Sequence, residues 1–365
     1  FYDGPDLPDT TIGTFDGSIS YRFGRPFFLP VPSDDTRLQF TDNVTIVEGD
    51  HLIKVGADLN RTRVSQTFIG FARGRYIFAA PTIDGAIQGF RDYIDGVDPG
   101  ALALYLQFAP VGNRTVEEAG TQAYSTFEPG IYVQDTWNPR PDMTFNFGFR
   151  WEAQYQPDPI TPTQSTAFGQ FVSDPTFPSD GSIPDFTDGY QPRLGFSWSP
   201  GDDGKTAIRL GAGIYYARIP GLVVAGPRNT DGVIAGNIFR DGSFPGFLLP
   251  TYPGILPTAG FVPENPGIAV FERNFKNPRT VQYSASIERE IFKDTTILVA
   301  YNYAKSTRLT RFVNRNDIRL SPGADPMSFC AAVLGFGRFC RDDGSGVGEI
   351  RSTESSAKSL YQGLT

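Results

Sequence analysis

Between Met143 and Glu152 the sequence alternates without a break: Met143, Phe145, Phe147, Phe149 and Trp151 share one parity, and Thr144, Asn146, Gly148, Arg150 and Glu152 share the other. A helix repeats every 3.6 residues and cannot segregate these two sets, whereas a strand does so by geometry. The pattern recurs in pairs. Phe127 to Trp137 sets Ile131, Val133 and Trp137 against Tyr132 and Gln134, with a tight connection at 138–142. Leu38, Phe40, Val44 and Ile46 lie on one face before the Glu48-Gly49-Asp50 turn. Ile53, Val55, Ala57 and Leu59 return opposite Lys54, Asp58 and Asn60. Leu194, Phe196 and Trp198 oppose Arg193, Gly195 and Ser197. After the turn at 200–205, Ile208, Leu210 and Ile214 oppose Arg209, Gly211, Gly213 and Tyr215. A fourth pair runs from Val281 to Glu288 and from Ile297 to Tyr303.

Two properties of these hairpins narrow the fold. The strands run to about ten residues, the length that crosses a bilayer when tilted, against about five or six in a soluble sandwich. The turns inside hairpins are short, but the connections between them, at 79–125, 156–190, 218–279 and 307–356, are long and read as structureless. Alternating short turns and long loops mark the periplasmic and extracellular ends of an outer-membrane barrel. The expected class is all-β: an antiparallel transmembrane β-barrel. Gly 40, Pro 30, Phe 31 and Tyr 16 against two Met agree with a strand-and-turn protein. No apolar run approaches the roughly 20 residues of a membrane helix. A net charge of -8 argues against nucleic-acid partners.

Trp137, Trp151 and Trp198 carry the apolar parity near strand ends, where a membrane protein places its aromatic girdles. Asp42 and Asp135 share that parity, where a carboxylate in lipid is unfavourable. Asp135 is expected low enough to reach the interface; Asp42 has no such explanation.

The segments LQFTDNVTIVEGDHLIKVGADLNRT, GIYVQDTWNPRPDMTFNFGFRWE, YQPRLGFSWSPGDDGKTAIRLGAGIYYAR and NPRTVQYSASIEREIFKDTTILVAYNYAKSTRL resemble, in order, the barrel of TonB-dependent receptors. The nearest subgroup is the Oar-like type with a carboxypeptidase-regulatory-like domain. The tail SAKSLYQGL is similar to the start of that group's next strand. The resemblance implies a barrel of roughly 22 strands with a plugged lumen, driven by the TonB–ExbB–ExbD complex. Residues 1–365 would supply about half of that one barrel domain, and neither a plug nor a carboxy-terminal closing strand is recognisable. A half-barrel leaves two unpaired edges in lipid, so a fragment or processed form is expected.

Catalytic signals are weak. His51 is the single histidine and no G-x-S-x-G elbow occurs, so neither an enzyme, a metal site nor a cofactor is expected. Gly211 and Gly213 lack the third glycine of a nucleotide loop. They read instead as inward positions leaving room for a plug or a neighbouring side chain. Cys330 and Cys340 are the two cysteines, ten residues apart, and read as a local disulfide in an oxidising compartment or as inert thiols. The candidate lumen- or plug-facing residues are Lys54, Asp58, Arg150, Glu152, Arg193, Arg209 and Glu288. Tyr252, Phe261 and Phe271 are the candidate recognition residues of the outer loops. The resemblance to TonB-dependent receptors implies energy-coupled outer-membrane uptake of a large nutrient such as a siderophore, glycan or peptide. A structural or adhesive surface protein and a passive porin are the alternatives.

Overall fold

The computed structural model describes residues 7–315 and 350–365, apart from 30, 167, 176, 202, 230–231, 241, 243–247 and 263–266. Cys330 and Cys340 lie outside the described residues. The chain opens with strands β1 (Asp9–Thr14), β2 (Ser20–Phe23), β3 (Ser33–Glu48), β4 (His51–Thr67) and β5 (Arg75–Ala80), then helix α1 (Ile83–Ile94) and β6 (Leu104–Pro110). It continues through α2 (Val116–Gly120), β7 (Thr121–Arg140), β8 (Met143–Gln154), α3 (Gly169–Val172), β9 (Phe186–Trp198) and β10 (Thr206–Tyr216). The last elements are α4 (Gly221–Asn229), β11 (Ala235–Arg240), β12 (Ile268–Phe271), β13 (Arg279–Phe292), β14 (Thr295–Asn314) and β15 (Ile350–Leu364). No described helix is long and apolar enough to cross a membrane.

Ten strands form one sheet in the order β12-β15-β14-β13-β10-β9-β8-β7-β4-β3. Apart from the parallel pair β12–β15, its ladders are antiparallel between successive long strands, so the hairpins lie side by side as an open wall, a partial barrel. The turns suit their chemistry. Glu48 pairs with His51 across a two-residue loop, where Gly49 holds φ +56, which a Cβ would disfavour. The tail, read as one further strand, is β15 and pairs with β14.

Register carries the alternation across strands. Val44, Val55, Val133, Phe149 and Pro192 form one outward row. Ile46, Ile53, Asp135, Phe147 and Leu194 form the next. Leu38, Phe40, Val44, Val133, Phe149 and Leu194 are all exposed. Soluble monomers rarely expose contiguous apolar rows of this kind; the face suits hydrocarbon. Along β7, Phe127 and Trp137 share this face, and the ten residue steps between them cover about 33 Å of strand. At a tilt near 40° that gives a band of about 25 Å, the height of an outer-membrane barrel's apolar belt.

Two sequence expectations need correction. Several strands are longer than ten residues, with β3 at 16, β4 at 17, and β7 and β14 at 20. They run past the apolar band, because their polar ends continue to pair once water replaces lipid. The long connections are also not structureless. Residues preceding β3 and those following β4 and β10 form a second sheet, ordered β11-β6-β5-β1-β2, in which β1 and β5 are parallel. Alternation within each hairpin cannot register this sheet, since its strands come from three separate stretches of chain. Its core contains Ile12, Tyr76, Phe78, Tyr93, Leu102, Tyr105 and Ile238, all buried, with α1 packed across it. Tyr76 stacks edge-on against Tyr93, Tyr105 and Tyr252 and donates to the Gly254 carbonyl at 2.6 Å. Asp9, almost fully buried, is held by Arg22 at 2.5 Å and by Arg75 at 3.6 Å. We call this layer the cap.

Burial disfavours phenolate in the cap core and pushes the Tyr93 hydroxyl from 10.0 up to about 12; Tyr76 and Tyr105 are raised as well. A folded-state pKa above the unfolded value leaves stability intact below the unfolded pKa and removes it as pH climbs through the folded one. The cap is therefore expected to hold below pH 10 and to loosen between pH 10 and 12. Tyrosinate absorbance followed with amide exchange of β5 and β6 checks this; ionisation of these tyrosines at pH 10 with the cap still protected would contradict it.

Candidate functional site

The face opposite the apolar rows is polar from one edge of the wall towards the other. Thr45, Lys54, Gln134, Gly148 and Arg193 form one inward row, and Thr41, Asp58, Gly130 and Glu152 form another. Lys54, Arg150 and Arg193 line a single recess with Gln134 and Gly148. Arg150 donates from Nε to Glu152 at 3.0 Å, and Arg193 lies 4.8 Å over the Tyr215 ring. Asp58 accepts from Gln39 at 3.0 Å. Arg209 and Glu288 pair at 2.7 Å but are about half exposed, so that pair contributes little to stability.

Glycine makes this face possible. A Cβ on Gly56 would sit 2.6 Å from the Tyr132 ring, and one on Gly130 would sit 2.6 Å from the Arg150 guanidinium. Gly213 is covered by Tyr215 and Gly363 by Tyr361 in the same way. Large inward side chains lie flat across neighbouring glycines. Of the two explanations for inward glycine, room for an adjacent side chain describes Gly211 and Gly213, which face Ser284 and Tyr215.

At the cap end the inward face is closed by a polar knot centred on Glu128, which is nearly buried. It accepts from Asn60 at 2.9 Å and from Gln154 at 2.9 Å, and pairs with Arg218 at 2.8 Å. Arg37 donates to Asn60 at 2.8 Å, and Gln154 exchanges bonds with the backbone of Ile219. Four wall strands, β3, β4, β7 and β8, are thereby tied to the connection after β10. The inward Gln66 and Gln122 at this level are buried while the outward Ser65 and Ala123 are exposed, so the connections lie on the polar side of the wall. Glu128 was not singled out from sequence, although it shares parity with Tyr132 and Gln134; extending the alternation four residues upstream would have found it. Glu128→Gln faces an amide donor towards Asn60 and Gln154 and leaves Arg218 unpaired. The expected loss is about 1–3 kcal/mol, reduced at Arg218 by its exposure. Thermal unfolding of the full-length protein reads it, and an unchanged midpoint would count against the knot.

The candidate interfacial residues occupy both ends of the outward face. His51, Trp137, Phe145 and Phe196 share a row beside the short turns. His51 stacks on Trp137 at 5.6 Å, and Phe145 contacts Trp137 and Phe196 at 5.4 and 4.8 Å. Trp198 donates to Asp142 in the β7–β8 turn at 3.0 Å. Trp151 lies in the row of Ile131 and Tyr190 and donates to the Thr187 carbonyl. Asp135, misplaced by parity, pairs with His51 Nδ1 at 2.7 Å. Across the ladder Asp42 faces Ala57, and nothing in the structure explains a carboxylate there.

Of the three candidate recognition aromatics, Phe271 ends strand β12 rather than lying in a loop, and the three are spread over two cores. Tyr252 and Phe261 pack against the cap core, and the Tyr252 hydroxyl lies 3.3 Å from Thr10 Oγ1. Phe271 is buried with Ile183, Ile219, Val224 and Phe275.

The sequence matches the family described as outer membrane beta barrel domain over residues 3–365. No curated protein matches it. Among solved structures, the chain is similar to the outer membrane transporter YddB from Escherichia coli, with 10% identity and a TM-score of 0.50, covering 98% of this chain and 34% of that one. It is also similar to the siderophore receptor PirA from Pseudomonas aeruginosa, with 12% identity and a TM-score of 0.44, covering 94% of this chain and 40% of that one. The chain thus spans well under half the length of either structure.

Proposed function

Because this chain belongs to the outer membrane beta barrel domain family and is a bacterial outer-membrane β-barrel chain, we propose that it forms part of the wall and outer loops of a TonB-dependent transporter of the Oar-like type. The observation that carries this reading is the inward face: a polar wall, bearing Lys54, Asp58, Arg150, Glu152 and Arg193, overlain at one end by folded connections. A wall of that kind suits a lumen holding a charged plug and passing a large polar nutrient.

In this reading residues 1–365 are part of a single barrel domain whose plug and closing strands belong to the rest of the protein. TonB–ExbB–ExbD supplies the energy. The substrate is a siderophore, glycan or peptide, captured first on the outer loops. Tyr252, Phe261 and Phe271 serve recognition by holding those loops in shape, and Trp137, Trp151 and Trp198 ride at the two lipid interfaces.

The test is nutrient accumulation by cells carrying the full-length gene, with and without an intact tonB system, using labelled ferric siderophores, oligosaccharides and peptides. Uptake that needs both the gene and the TonB system supports the proposal. Uptake indifferent to TonB, with open-channel conductance in planar bilayers, points to a passive porin. Absence of any uptake with altered surface attachment points to a structural or adhesive protein, a reading favoured by the cap having a core of its own.

A further inference from the structure

Arg61 and Arg63 are two cations two positions apart on β4. Both carry the outward parity of β4, the parity of Leu59, Ala57 and Val55. Arg61 is in register with Leu38 and Phe127, and Arg63 with Thr36 and Ser125. Both are exposed, and neither makes a hydrogen bond or ion pair among the described residues. Asp34, in register with Ser65 one row further towards the cap, is the nearest outward carboxylate and does not pair with them.

Their height matters as much as their charge. Below them the outward face carries Phe40 and Leu59 in the next row, then Asp42 and Ala57, then Val44 and Val55. Beside Arg61, Phe127 stacks with Tyr155 at 6.1 Å, the kind of ring a membrane protein places at headgroup level. Two guanidinium groups therefore rise from the cap-side edge of a lipid-facing surface, and each offers a forked donor set matched to phosphate oxygens.

We propose that Arg61 and Arg63 form a binding site on the outside of the wall for the headgroup of a phospholipid of net negative charge in the adjacent leaflet. The phosphate lies across the two guanidinium groups and the acyl chains run down over Leu38, Phe40 and Leu59. Charge complementarity and the apolar Leu38, Phe40 and Leu59 beneath select a lipid over a soluble anion. The inference rests on outer-membrane residence and is independent of what the lumen transports.

The test uses the full-length protein in nanodiscs of equal phosphatidylglycerol and phosphatidylcholine, with retained lipid counted by native mass spectrometry after detergent extraction. Wild type is expected to keep phosphatidylglycerol in preference, and the Arg61→Ser/Arg63→Ser variant to lose that preference by about tenfold. Arg61→Lys/Arg63→Lys is expected to recover part of it, and heat-modifiable gel migration confirms that each variant is folded. Equal retention of both lipids by wild type would overturn the proposal, as would a preference untouched in the folded serine variant. Displacement of the retained lipid by millimolar inorganic phosphate would reassign the site to a soluble anion.

Discussion

Tyr76→Ala is expected to open the cap while leaving the wall assembled. Tyr76 is fully buried at the centre of the cap core, in ring contact with Phe78, Tyr93, Tyr105 and Tyr252. Truncation empties a cavity that the four surrounding rings cannot fill, and aromatic-to-alanine changes in such cores cost about 3–5 kcal/mol. It also strands the Gly254 carbonyl that Tyr76 now satisfies. The cap is a small layer, so a loss of this size is a large share of its local stability. Amide exchange of β1, β5 and β6 should accelerate by orders of magnitude, while β7 and β8 stay protected. Tyr76→Phe, which keeps the ring and removes one hydrogen bond, should cost about 1 kcal/mol. Equal acceleration in cap and wall would show that the two layers unfold as one unit.

The second large effect concerns which side of the wall meets lipid. Val133 sits mid-strand in the outward row of Val44, Val55 and Phe149. An arginine at a position of this kind near the bilayer midplane costs about 2–4 kcal/mol, so Val133→Arg should sharply reduce folded, heat-modifiable barrel. Gln134, one residue later, faces inward between Lys54 and Gly148. A full charge introduced by Gln134→Glu meets Lys54 and Arg193 across a watered face, and its effect should fall within about 0.5 kcal/mol. Two adjacent substitutions thus test the orientation of the whole sheet. Comparable damage from both would mean that neither face lies in hydrocarbon.

Much of the wall was legible because alternation is local. Met143 to Glu152 announces its own two faces, and the register only extends them to neighbouring strands. The chemistry of the inward face was legible for the same reason: Lys54, Arg150 and Arg193 were assigned by parity, and parity survives folding. Partnership was not legible. Asp135 looked misplaced because its partner His51 lies 84 positions earlier. Glu128 gained its importance from Asn60, Gln154 and Arg218, which three separate segments supply.

By itself, the sequence determined an all-β chain with a lipid face, a polar face, tight turns at one end and long connections at the other. These follow from the two-residue period of a strand and from turn chemistry, which act within a few residues. Only the tertiary structure decided that the long connections fold into a cap, that Tyr252, Phe261 and Phe271 support packed layers, and that Arg61 and Arg63 stand unpaired at the edge of the apolar belt. Each of these depends on contacts between residues distant in the chain, whose pairing no local period encodes.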